Sequence, residues 1–426
     1  MVAKFFLSVY PLFVAFLSFY PIYPPMNQLY PSIILQPKGV VSVERRHTWI
    51  FSGAIRRIEG KVAEGDIVEV CSPEGRYLAT GQYQAGGSIR VRLLTFEQQL
   101  IDHAFWVKVL RRCYAYRTAL GITILHSSTN IFRLVNAEGD GLSGLIIDMY
   151  NGVAVVQAHT VAMWLSRHAI AAALCEVFGS DLRAVYTKSK ETVSGGVGGN
   201  IAVENAYLWG EQLPNVVGKE ENLSFWVDWE RGQKTGFFID QRYNRTLLQH
   251  FVANKTVLNA FCYSGGFSVA ALAGGANMVH SVDASAKAIE WCEQNVALNG
   301  FGTERHKAFC SDVMAFLQQN QHQYEVMVLD PPAFAKHIEA RHKAVQAYKR
   351  LNALGLQQIA KGGFLFTFSC SAVVDRQLFY DTVTAAAISV GRQVRVVHHL
   401  SQAPDHPINI YHPEGHYLKG LVLYVE

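Results

Sequence analysis

The sequence predicts an α/β protein whose C-terminal half is a doubly wound, mostly parallel sheet, preceded by two smaller domains. From about residue 222 onward, continuous apolar strands alternate with helical segments, as in parallel sheets covered by helices on both faces. Before residue 100 the chain instead contains short strands with period-two alternation, broken by glycines. This second pattern is typical of a small β-barrel-like domain.

The composition limits the class of protein. The 426 residues are 50% hydrophobic and 17% charged, which suits two or three domains with real cores and excludes a disordered chain. The formal net charge of +4 permits a polyanionic partner without requiring one. Because the seven cysteines are scattered without a C-x-x-C pair, we predict neither a disulfide framework nor a zinc knuckle, and a cytoplasmic location is expected.

Residues 1–31 form an apolar leader that we do not expect to belong to the fold. Residues 5–20 are strongly apolar and aromatic and could be the core of a signal peptide. However, Pro11 interrupts this run, no small-x-small cleavage site follows it, and it is short for a membrane span. The segment that begins at Met26 is typical of the N-terminus of a cytosolic protein. We therefore expect residues 1–25 to be a mistranslated or over-annotated leader rather than an anchor.

Residues 32–98 are predicted to form the small β domain. Residues 67–70 and 89–93 alternate between apolar and polar side chains, as half-buried strands do. Arginines with aromatic residues between them give the domain a basic character: Arg45, Arg46, Arg56, Arg57, Arg90, Arg92, Trp49 and Phe51. On these residues alone, a solvated outer face and a surface that binds nucleic acid through phosphate contacts and stacking are equally well supported.

Residues 99–215 are predicted to form a compact α+β domain of their own. The predicted elements are a helix at 102–120, strands at 132–135, 145–149 and 153–158, a helix at 162–177 and a strand at 184–187. The glycine-rich residues 195–199 are expected to form a hairpin loop. A phosphate cradle is the less favoured interpretation, since no helix start follows them.

Residues 216–426 are predicted to form the doubly wound domain. Its parallel strands are expected at residues 257–261, 278–283, 307–310, 325–330 and 363–369. Two further apolar runs, at residues 394–399 and 417–425, are expected to close the sheet as a pair. In this architecture ligands bind at the carboxyl ends of the strands, so the residues that follow each strand are the candidate site residues.

The turn after the first of these strands has the form of a nucleoside site. A glycine-containing turn at residues 262–268 precedes an alanine-rich helix, and Asp283 ends the second strand. In this geometry glycines permit close backbone approach and the acidic residue accepts the ribose hydroxyls. The absence of G-x-G-x-x-G favours a cofactor smaller than a dinucleotide. Asp312, after the third strand, suits an adenine amino group, the cap of the following helix, or both.

The fourth and fifth strands end on residues that can perform chemistry. Asp330 is followed by Pro331 and Pro332, which keep the backbone beside its carboxylate stiff and extended. Cys370 follows the fifth strand and could be an inert buried thiol, the usual state of cysteine. Its expected proximity to Asp330 favours a nucleophile instead.

These motifs resemble those of the bacterial large-subunit rRNA cytosine-5 methyltransferase I family. The resemblance rests on FCYSGGF at residues 261–267, DPPAF at 330–334 and FSCS at 368–371. It extends to KTGFFIDQR at 234–242, DHP at 405–407, PEGHYLKG at 413–420, HTWIFSG at 47–53 and EGDGLSG at 138–144. It covers about residues 33–426, and residues 1–25 have no counterpart in it.

The resemblance implies a Rossmann-like methyltransferase domain that uses S-adenosylmethionine, behind an RNA-binding PUA domain and a central domain. The implied cofactor contacts come from Phe237, Asp240, Gln241, Arg242, Phe261, Tyr263, Ser264, Gly265, Gly266, Asp283, Asp312 and Asp330. Contacts to the RNA are expected from Pro331, Pro332, Phe334, Lys336, Arg45, Arg46 and Trp49. The implied partner is large-subunit rRNA, with no membrane, and a homodimer is compatible with the sequence.

Methylation at C5 of cytosine needs an activated ring, because C5 is a poor nucleophile. Attack of a thiolate on C6 produces an enamine that can accept a methyl group, and we assign this attack to Cys370, which requires a lowered thiol pKa. Asp330 is expected to hold N3 and to act as general acid. The base that removes the C5 proton is not identified. The target base must leave its stack, and Phe334 is the expected stacking partner.

Three alternatives remain open at this stage. The charged helix residues Lys336, Arg341, Lys343, Lys349 and Arg350 could grip the RNA backbone or form a solvated face. An amine or guanine N-methyltransferase could use the same acid-Pro-Pro loop, and a non-catalytic RNA-binding assembly factor is the third hypothesis.

The C-terminal histidines (His398, His399, His406, His412 and His416) do not have metal-ligand spacing, so no metal is predicted.

Overall fold

The computed structural model describes residues 29–123, 128–193, 201–213, 215–320, 322–335 and 337–426. The predicted leader at residues 1–25 and the predicted hairpin loop at 195–199 lie outside the described residues, and so does Lys336. Within the described ranges, no helix combines the length and the apolar character needed to cross a membrane.

The first domain is a six-stranded sheet with one helix. Its elements are β1 (Ser32–Leu35), α1 (Pro37–Glu44), β2 (Trp49–Phe51), β3 (Ile55–Glu59), β4 (Ile67–Cys71), β5 (Tyr77–Tyr83) and β6 (Ile89–Thr95), in the strand order β2-β6-β5-β4-β1-β3. The alternation that predicted strands is confirmed, because Val68, Val70, Val91 and Leu93 are buried in one core. The prediction of a small β domain is therefore confirmed.

The central domain is a five-stranded sheet covered by helices. Its elements are α2 (His103–Ala119), β7 (Ile131–Asn136), β8 (Leu145–Tyr150), β9 (Val153–Ala158), α3 (Val161–Leu165), α4 (Arg167–Phe178), β10 (Ala184–Thr187), α5 (Lys190–Val193) and β11 (Ala206–Gly210), in the strand order β11-β10-β9-β8-β7. Asp102 caps α2 by accepting a hydrogen bond from the Phe105 amide at 3.0 Å. Strand β11 was not predicted from the sequence.

A hairpin, β12 (Val216–Glu220) and β13 (Leu223–Val227), leads into the large C-terminal sheet. The elements that follow are α6 (Arg242–Gln249), β14 (Thr256–Ala260), α7 (Gly266–Ala273), β15 (Met278–Asp283), α8 (Ala286–Leu298), β16 (His306–Cys310), α9 (Val313–Gln319), β17 (Tyr324–Leu329), α10 (Arg341–Gln358), β18 (Ile359–Ser369), α11 (Arg376–Val390), β19 (Val394–Leu400) and β20 (Lys419–Val425). These bounds agree with the predicted strands to within about four residues at every end.

The strand order of the large sheet fixes where a ligand can bind. The order is β16-β15-β14-β17-β18-β20-β19, with β14 to β18 parallel and β20 antiparallel to both of its neighbours. The chain therefore runs in opposite directions across the sheet on either side of β14. Doubly wound sheets bind ligands at the carboxyl ends of the strands at such a switch point. The predicted fold class is confirmed.

A buried ion pair of the C-terminal domain lies where this domain meets the central domain. Arg242 and Asp405 are both fully buried, with 2.9 Å between Nη2 and Oδ1. Arg242 also donates from Nη1 to the carbonyl of Ile131 in β7, and the other Asp405 oxygen accepts from the Arg133 amide. Burial opposes ionisation of Asp405, yet the positive charge of Arg242 beside it holds its pKa below the usual range.

Replacing Asp405 with asparagine is expected to destabilise the protein by about 3 kcal/mol, because Arg242 would keep a buried charge without a counter-ion. The lowered pKa means that the stabilising effect of Asp405 is present at neutral pH and is lost as pH falls below about 4. Urea unfolding at pH 7 measures the change. Glu59→Gln, which breaks an exposed ion pair with Arg57, should cost under about 1 kcal/mol, and an equal loss in both variants would contradict this account.

Candidate active site

The turn after β14 has an unusual backbone. Phe261, Tyr263 and Gly265 have φ angles of 61°, 46° and 81°, so two non-glycine residues lie in the left-handed region. The turn is fixed from within, because the Gly265 amide donates to the Cys262 carbonyl at 2.8 Å. Such conformations cost about 1–3 kcal/mol per non-glycine residue and concentrate at ligand sites. The predicted nucleoside turn therefore has the strained geometry expected of a binding loop.

The two glycines of this turn pack against protein. A Cβ on Gly265 would lie 2.6 Å from the Cys292 sulfur of α8, and one on Gly266 would lie 3.2 Å from Cδ of Arg245. Ser264 is buried and its carbonyl accepts from the Asn295 side chain. The two glycines therefore let the turn sit tightly between α6 and α8. That they also permit close approach of a ligand stays a prediction.

Two acidic residues follow the next two strands. Both oxygens of Asp283 accept backbone hydrogen bonds, from Tyr263 at 3.0 Å and Ser285 at 2.9 Å, so its carboxylate is firmly oriented. Each oxygen keeps a further lone pair for a ligand hydroxyl. Asp312 is exposed and caps α9 by accepting from the Ala315 amide at 2.8 Å. The capping role predicted for Asp312 is confirmed, and its contact with adenine stays a prediction.

A group of acidic and polar side chains surrounds the end of β17. Asp240 accepts from the Tyr417 hydroxyl at 2.6 Å through Oδ2, whereas its buried Oδ1 has no hydrogen-bond partner among the described residues. Burial, and after it the negative charge of Asp240, raise the pKa of Asp330 to about 7, although a hydrogen bond with Gln241 opposes this shift. Asp330 can therefore be protonated near neutral pH, as a general acid must be.

Cys370 lies next to Asp330, as predicted. Strands β17 and β18 are parallel neighbours with Leu329 opposite Thr367, so the residues that follow them meet at one edge of the sheet. The Cys370 sulfur lies 3.9 Å from the Pro331 carbonyl oxygen, and the Ser371 hydroxyl donates to the Ala335 carbonyl at 2.6 Å. The two catalytic candidates therefore lie together at one edge of the sheet.

The thiol pKa differs from the prediction. We expected a lowered pKa, but burial and then the negative charges of Asp330 and Asp240 raise the pKa of Cys370 to about 12. With this pKa, Cys370 is a thiol at neutral pH. A nucleophilic role requires that these negative charges be neutralised or compensated in the working complex.

Two of the predicted cofactor residues pack against protein groups. Arg242 is fully buried in the domain junction and faces Asp405. Phe237 is buried with its ring 4.8 Å from that of Phe225 and 4.8 Å from the guanidinium of Arg245. Their side chains therefore support the fold. Cofactor contacts from the motif at residues 234–242, including Asp240 and Gln241, stay predictions.

The remaining cofactor candidates line or support the turn. Tyr263 is buried, and its hydroxyl accepts from the Gln233 amide and donates to the Gly236 carbonyl, which ties the turn to residues 233–236. Phe261 is half-buried at the start of the turn. A cofactor contact from either residue stays a prediction.

The predicted substrate residues near Asp330 differ in exposure. Pro331 is buried and Pro332 is exposed. The ring of Phe334 is half-buried and lies 4.7 Å from the ring of Tyr348, so part of it already packs on the core. Stacking of a target base on Phe334 therefore stays a prediction.

The basic surface of the first domain also differs in part from the prediction. Arg45 and Arg46 are exposed, as predicted, and the guanidinium of Arg46 lies 4.6 Å from the centroid of the Phe96 ring. Trp49 is fixed rather than free: its indole nitrogen donates to Glu138 at 3.1 Å and to Ser143 at 3.0 Å. Its ring forms one wall of a groove of about 330 Å³ that Lys38, Gly39, Ser42, Trp49, Ile50, Phe51, Gly53 and Ala54 line.

One group of side chains in the described residues has the composition of a metal site. His47, His412 and Glu414 place their ligand atoms within 4.8 Å of one another. However, Nδ1 of His412 is hydrogen-bonded to the Thr48 hydroxyl at 3.2 Å, and Glu414 is exposed. These contacts show that the cluster connects the first domain to the C-terminal loop. The absence of a metal stays a prediction.

Two residues of the site were not identified from sequence. Tyr417 donates to Asp240, and Lys419 donates from Nζ to the Ser371 carbonyl at 2.7 Å. Both lie in the motif at residues 413–420, whose resemblance we noted without assigning roles. That motif could have indicated both residues. However, it reaches the edge of the sheet only because β20 pairs with β18.

Comparison with known proteins agrees with this geometry. Residues 200–413 match a family model described as S-adenosylmethionine-dependent methyltransferase, and residues 33–96 match a PUA-like domain. The predicted cofactor and PUA-like domain are thereby confirmed. A solved structure from Streptococcus mutans, described as a SAM-dependent methyltransferase, superimposes with a TM-score of 0.77 at 21% identity, covering 92% of this chain and 99% of its own.

Curated relatives are similar over nearly the whole chain. Ribosomal RNA large subunit methyltransferase I of Alteromonas mediterranea is 38% identical over 92% of this chain and 98% of its own. The protein of the same name from Shewanella amazonensis is 37% identical over the same shares. The chain belongs to the S-adenosylmethionine-dependent methyltransferases, in the ribosomal RNA large subunit methyltransferase I family.

Proposed function

We propose that this protein transfers a methyl group from S-adenosylmethionine to C5 of a cytosine in large-subunit rRNA, through a covalent bond between Cys370 and C6. The relatives' name provides the rRNA substrate class, and the family provides the cofactor. The observation that supports the position on the base is the meeting of a thiol and a protonatable carboxyl, Cys370 and Asp330, at adjacent strand ends. We expect the protein to act in the cytoplasm.

The residues present fit a nucleoside cofactor that carries a positive charge. Asp283 offers oriented oxygens to ribose hydroxyls, and the exposed Asp312 lies at the end of the neighbouring strand. The unpartnered Oδ1 of Asp240 is a buried acceptor that a cationic or N–H-bearing ligand would satisfy. When bound, S-adenosylmethionine supplies an electrophilic methyl group at this edge of the sheet.

Replacing Asp283 with alanine is expected to raise the Kd for S-adenosylmethionine about tenfold to hundredfold, because hydrogen bonds to a charged group contribute about 1.5–3 kcal/mol. Isothermal titration calorimetry measures the change. The Kd of Asp283→Asn, which keeps one acceptor oxygen, should lie between the Kd of the wild type and that of Asp283→Ala. Glu290→Ala removes an exposed negative charge on α8 and is the matched control. Equal Kd values for Asp283→Ala and the control would place the cofactor elsewhere.

The chemistry on the base follows from the two side chains. The Cys370 thiolate attacks C6 and forms the S–C6 bond, while Asp330 gives its proton to N3. C5 thereby becomes nucleophilic enough to accept the methyl group. Loss of the C5 proton to a base then allows the S–C6 bond to break, which regenerates the thiolate, and N3 returns its proton to Asp330. One proton is released per methyl group transferred.

The pKa values predict how activity depends on pH. The reactive form combines protonated Asp330 with the thiolate of Cys370. Because the pKa of Asp330 is about 7 and that of Cys370 is higher, the fraction of this form rises with pH up to about 7 and then stays level, since each loss of protonated Asp330 is matched by a gain of thiolate. Activity should therefore rise up to about pH 7 and level off above it. The inflection belongs to the interacting pair rather than to either residue alone.

The first domain is the proposed RNA-binding surface. Arg45 and Arg46 are exposed cations that suit phosphate contacts, and Lys38 lies at the nearby groove between α1 and β2. Phe51 lines the same groove with an exposed ring that suits base stacking. Trp49 shapes the groove while linking it to Glu138 of the central domain. Hydrogen bonds of Trp49 therefore connect the groove to the central domain.

One observation favours a second candidate function. The thiol pKa of Cys370 is raised, whereas the Asp330-Pro331-Pro332 segment could accept a hydrogen bond from an amino group without help from a thiol. Methylation of an exocyclic amine or of guanine nitrogen would use that arrangement. In this case Cys370 would be a buried structural residue.

Nucleoside analysis distinguishes the candidates. The purified protein is incubated with isotope-labelled S-adenosylmethionine and rRNA from the large subunit, and the digested RNA is separated by chromatography and mass spectrometry. Labelled 5-methylcytidine is the expected product. A labelled N-methyl nucleoside would support the second candidate, and the absence of any label would support a non-catalytic assembly factor.

A further inference from the structure

The ammonium group of Lys419 lies beside the segment that carries Cys370. Lys419 is the first residue of β20, and the antiparallel register places it opposite Ser369, the last residue of β18. Its Nζ donates to the carbonyl of Ser371 at 2.7 Å. The lysine therefore contacts the residue that directly follows the proposed nucleophile.

Lys419 is buried without an acidic partner. Only 3% of the residue is accessible, and no carboxylate of the described residues lies within 4 Å of its Nζ. Burial lowers the pKa of Lys419 to about 8. A buried ammonium without a counter-ion is costly, and replacing it with an apolar residue of similar volume would ordinarily be neutral or stabilising. Fold stability therefore does not explain why residue 419 is a lysine.

The charged groups near the thiol act in opposite directions. Among those with the largest effects, Asp330 and Asp240 raise the pKa of Cys370, whereas Lys419 lowers it. Near Lys419 itself, Asp375 caps α11 and Arg376 donates to Nε2 of His416 at 2.9 Å. These two residues are already engaged with other groups.

We propose that Lys419 is a positioning residue that stabilises the thiolate of Cys370 by its fixed positive charge. The inference rests on the proposed cysteine chemistry and adds to it the missing source of thiolate stabilisation. In this scheme Lys419 stays an ammonium throughout the cycle. Breaking the S–C6 bond returns the electron pair to sulfur beside that charge, and the C5 proton leaves to another base.

Alkylation of Cys370 by iodoacetamide tests this inference without methyl transfer. The rate is measured by mass spectrometry between pH 6 and pH 10 in the wild type, Lys419→Met and Lys419→Arg. In Lys419→Met the rate at pH 7 should fall about tenfold, the change expected when the thiol pKa rises by about one unit. Lys419→Arg should stay near the wild type, because the charge is kept. Cys310, exposed at the end of β16, is the internal control in the same chain.

Unchanged alkylation of Cys370 in Lys419→Met would overturn the inference. Thermal unfolding of each variant checks the fold, and Lys419→Gln, which also removes the charge, replaces the methionine variant if the latter does not fold. If alkylation depends on Lys419 while Cys370→Ala still methylates rRNA fully, the charge pairing holds and the proposed cysteine chemistry fails. If alkylation is independent of Lys419 while Cys370→Ala is inactive, the chemistry stands and the inference alone fails.

Discussion

Replacing Cys370 with alanine is expected to lower methyl transfer to rRNA by about a thousandfold or more, because the ring can no longer be activated by addition at C6. The Kd for S-adenosylmethionine should change little, since the proposed cofactor residues lie at other strand ends. Initial rates with labelled cofactor and saturating rRNA measure the effect. The side chain removed is small and only half-buried, so the fold should be retained.

Cys175→Ala is the matched control for this experiment. Cys175 is also half-buried, but it lies on α4 in the central domain. It should keep wild-type activity. Near-normal activity of Cys370→Ala would contradict the covalent scheme and would favour methylation of an amino or ring nitrogen, which needs no thiol.

Replacing Asp330 with asparagine is expected to lower the rate of methyl transfer about a hundredfold to ten-thousandfold, the usual contribution of a general acid. Asparagine keeps the shape and can still donate a hydrogen bond, but it has no proton to give to N3. The levelling of the wild-type rate above pH 7 should therefore be absent from the variant, whose residual rate should keep rising with pH as Cys370 ionises. Asp381→Asn, on the exposed surface of α11, is the control.

Stability measurements give a second test of the Asp330 environment. Burial raises the pKa of this carboxyl to about 7 in the folded state, so its unfavourable ionised form costs stability as pH rises from about 4 through 7. Asp330→Asn removes that cost. Its Tm should exceed that of the wild type at pH 8 and equal it at pH 4. An equal effect at both pH values would show that Asp330 is not held in a low-dielectric, negatively charged setting.

Much of the C-terminal fold could be predicted from the sequence because its strands are buried on both faces. Strand β17 is buried at all but one residue and ends in four consecutive apolar residues, and the helices on either side of it have distinct periodicity. Strand β11 lacks that signal: its first and last two residues are exposed, and it is the end strand of its sheet, next to β10. The hairpin of β12 and β13 was also not anticipated, although its alternation is regular in the structure.

The site could be predicted only in part. Asp283, Asp330 and Cys370 follow strands, and the strand order alone brings them to one edge. The partners of Arg242 and Trp49 could not be inferred, because they lie on segments distant in the chain, at Asp405 and Glu138. A motif gives residue types at fixed spacing. It does not say which members face the ligand and which support the fold.

The thiol pKa shows the same limit. Cysteine after a strand suggested an activated nucleophile, but the pKa depends on Asp240 from a different segment as well as on Asp330. The opposing charge of Lys419 comes from a third segment. The balance of these charges is a property of the folded molecule, and it is also the feature that the proposed chemistry depends on most.

Trapping a covalent complex tests the central claim most directly. Large-subunit rRNA that contains 5-fluorocytosine is incubated with the protein and S-adenosylmethionine, and the mixture is separated on a denaturing gel. Fluorine at C5 cannot leave as a proton does, so the S–C6 bond should persist. We predict a protein–RNA band that survives denaturation and is absent with Cys370→Ala. No such band, from protein that methylates unsubstituted rRNA, would contradict the account.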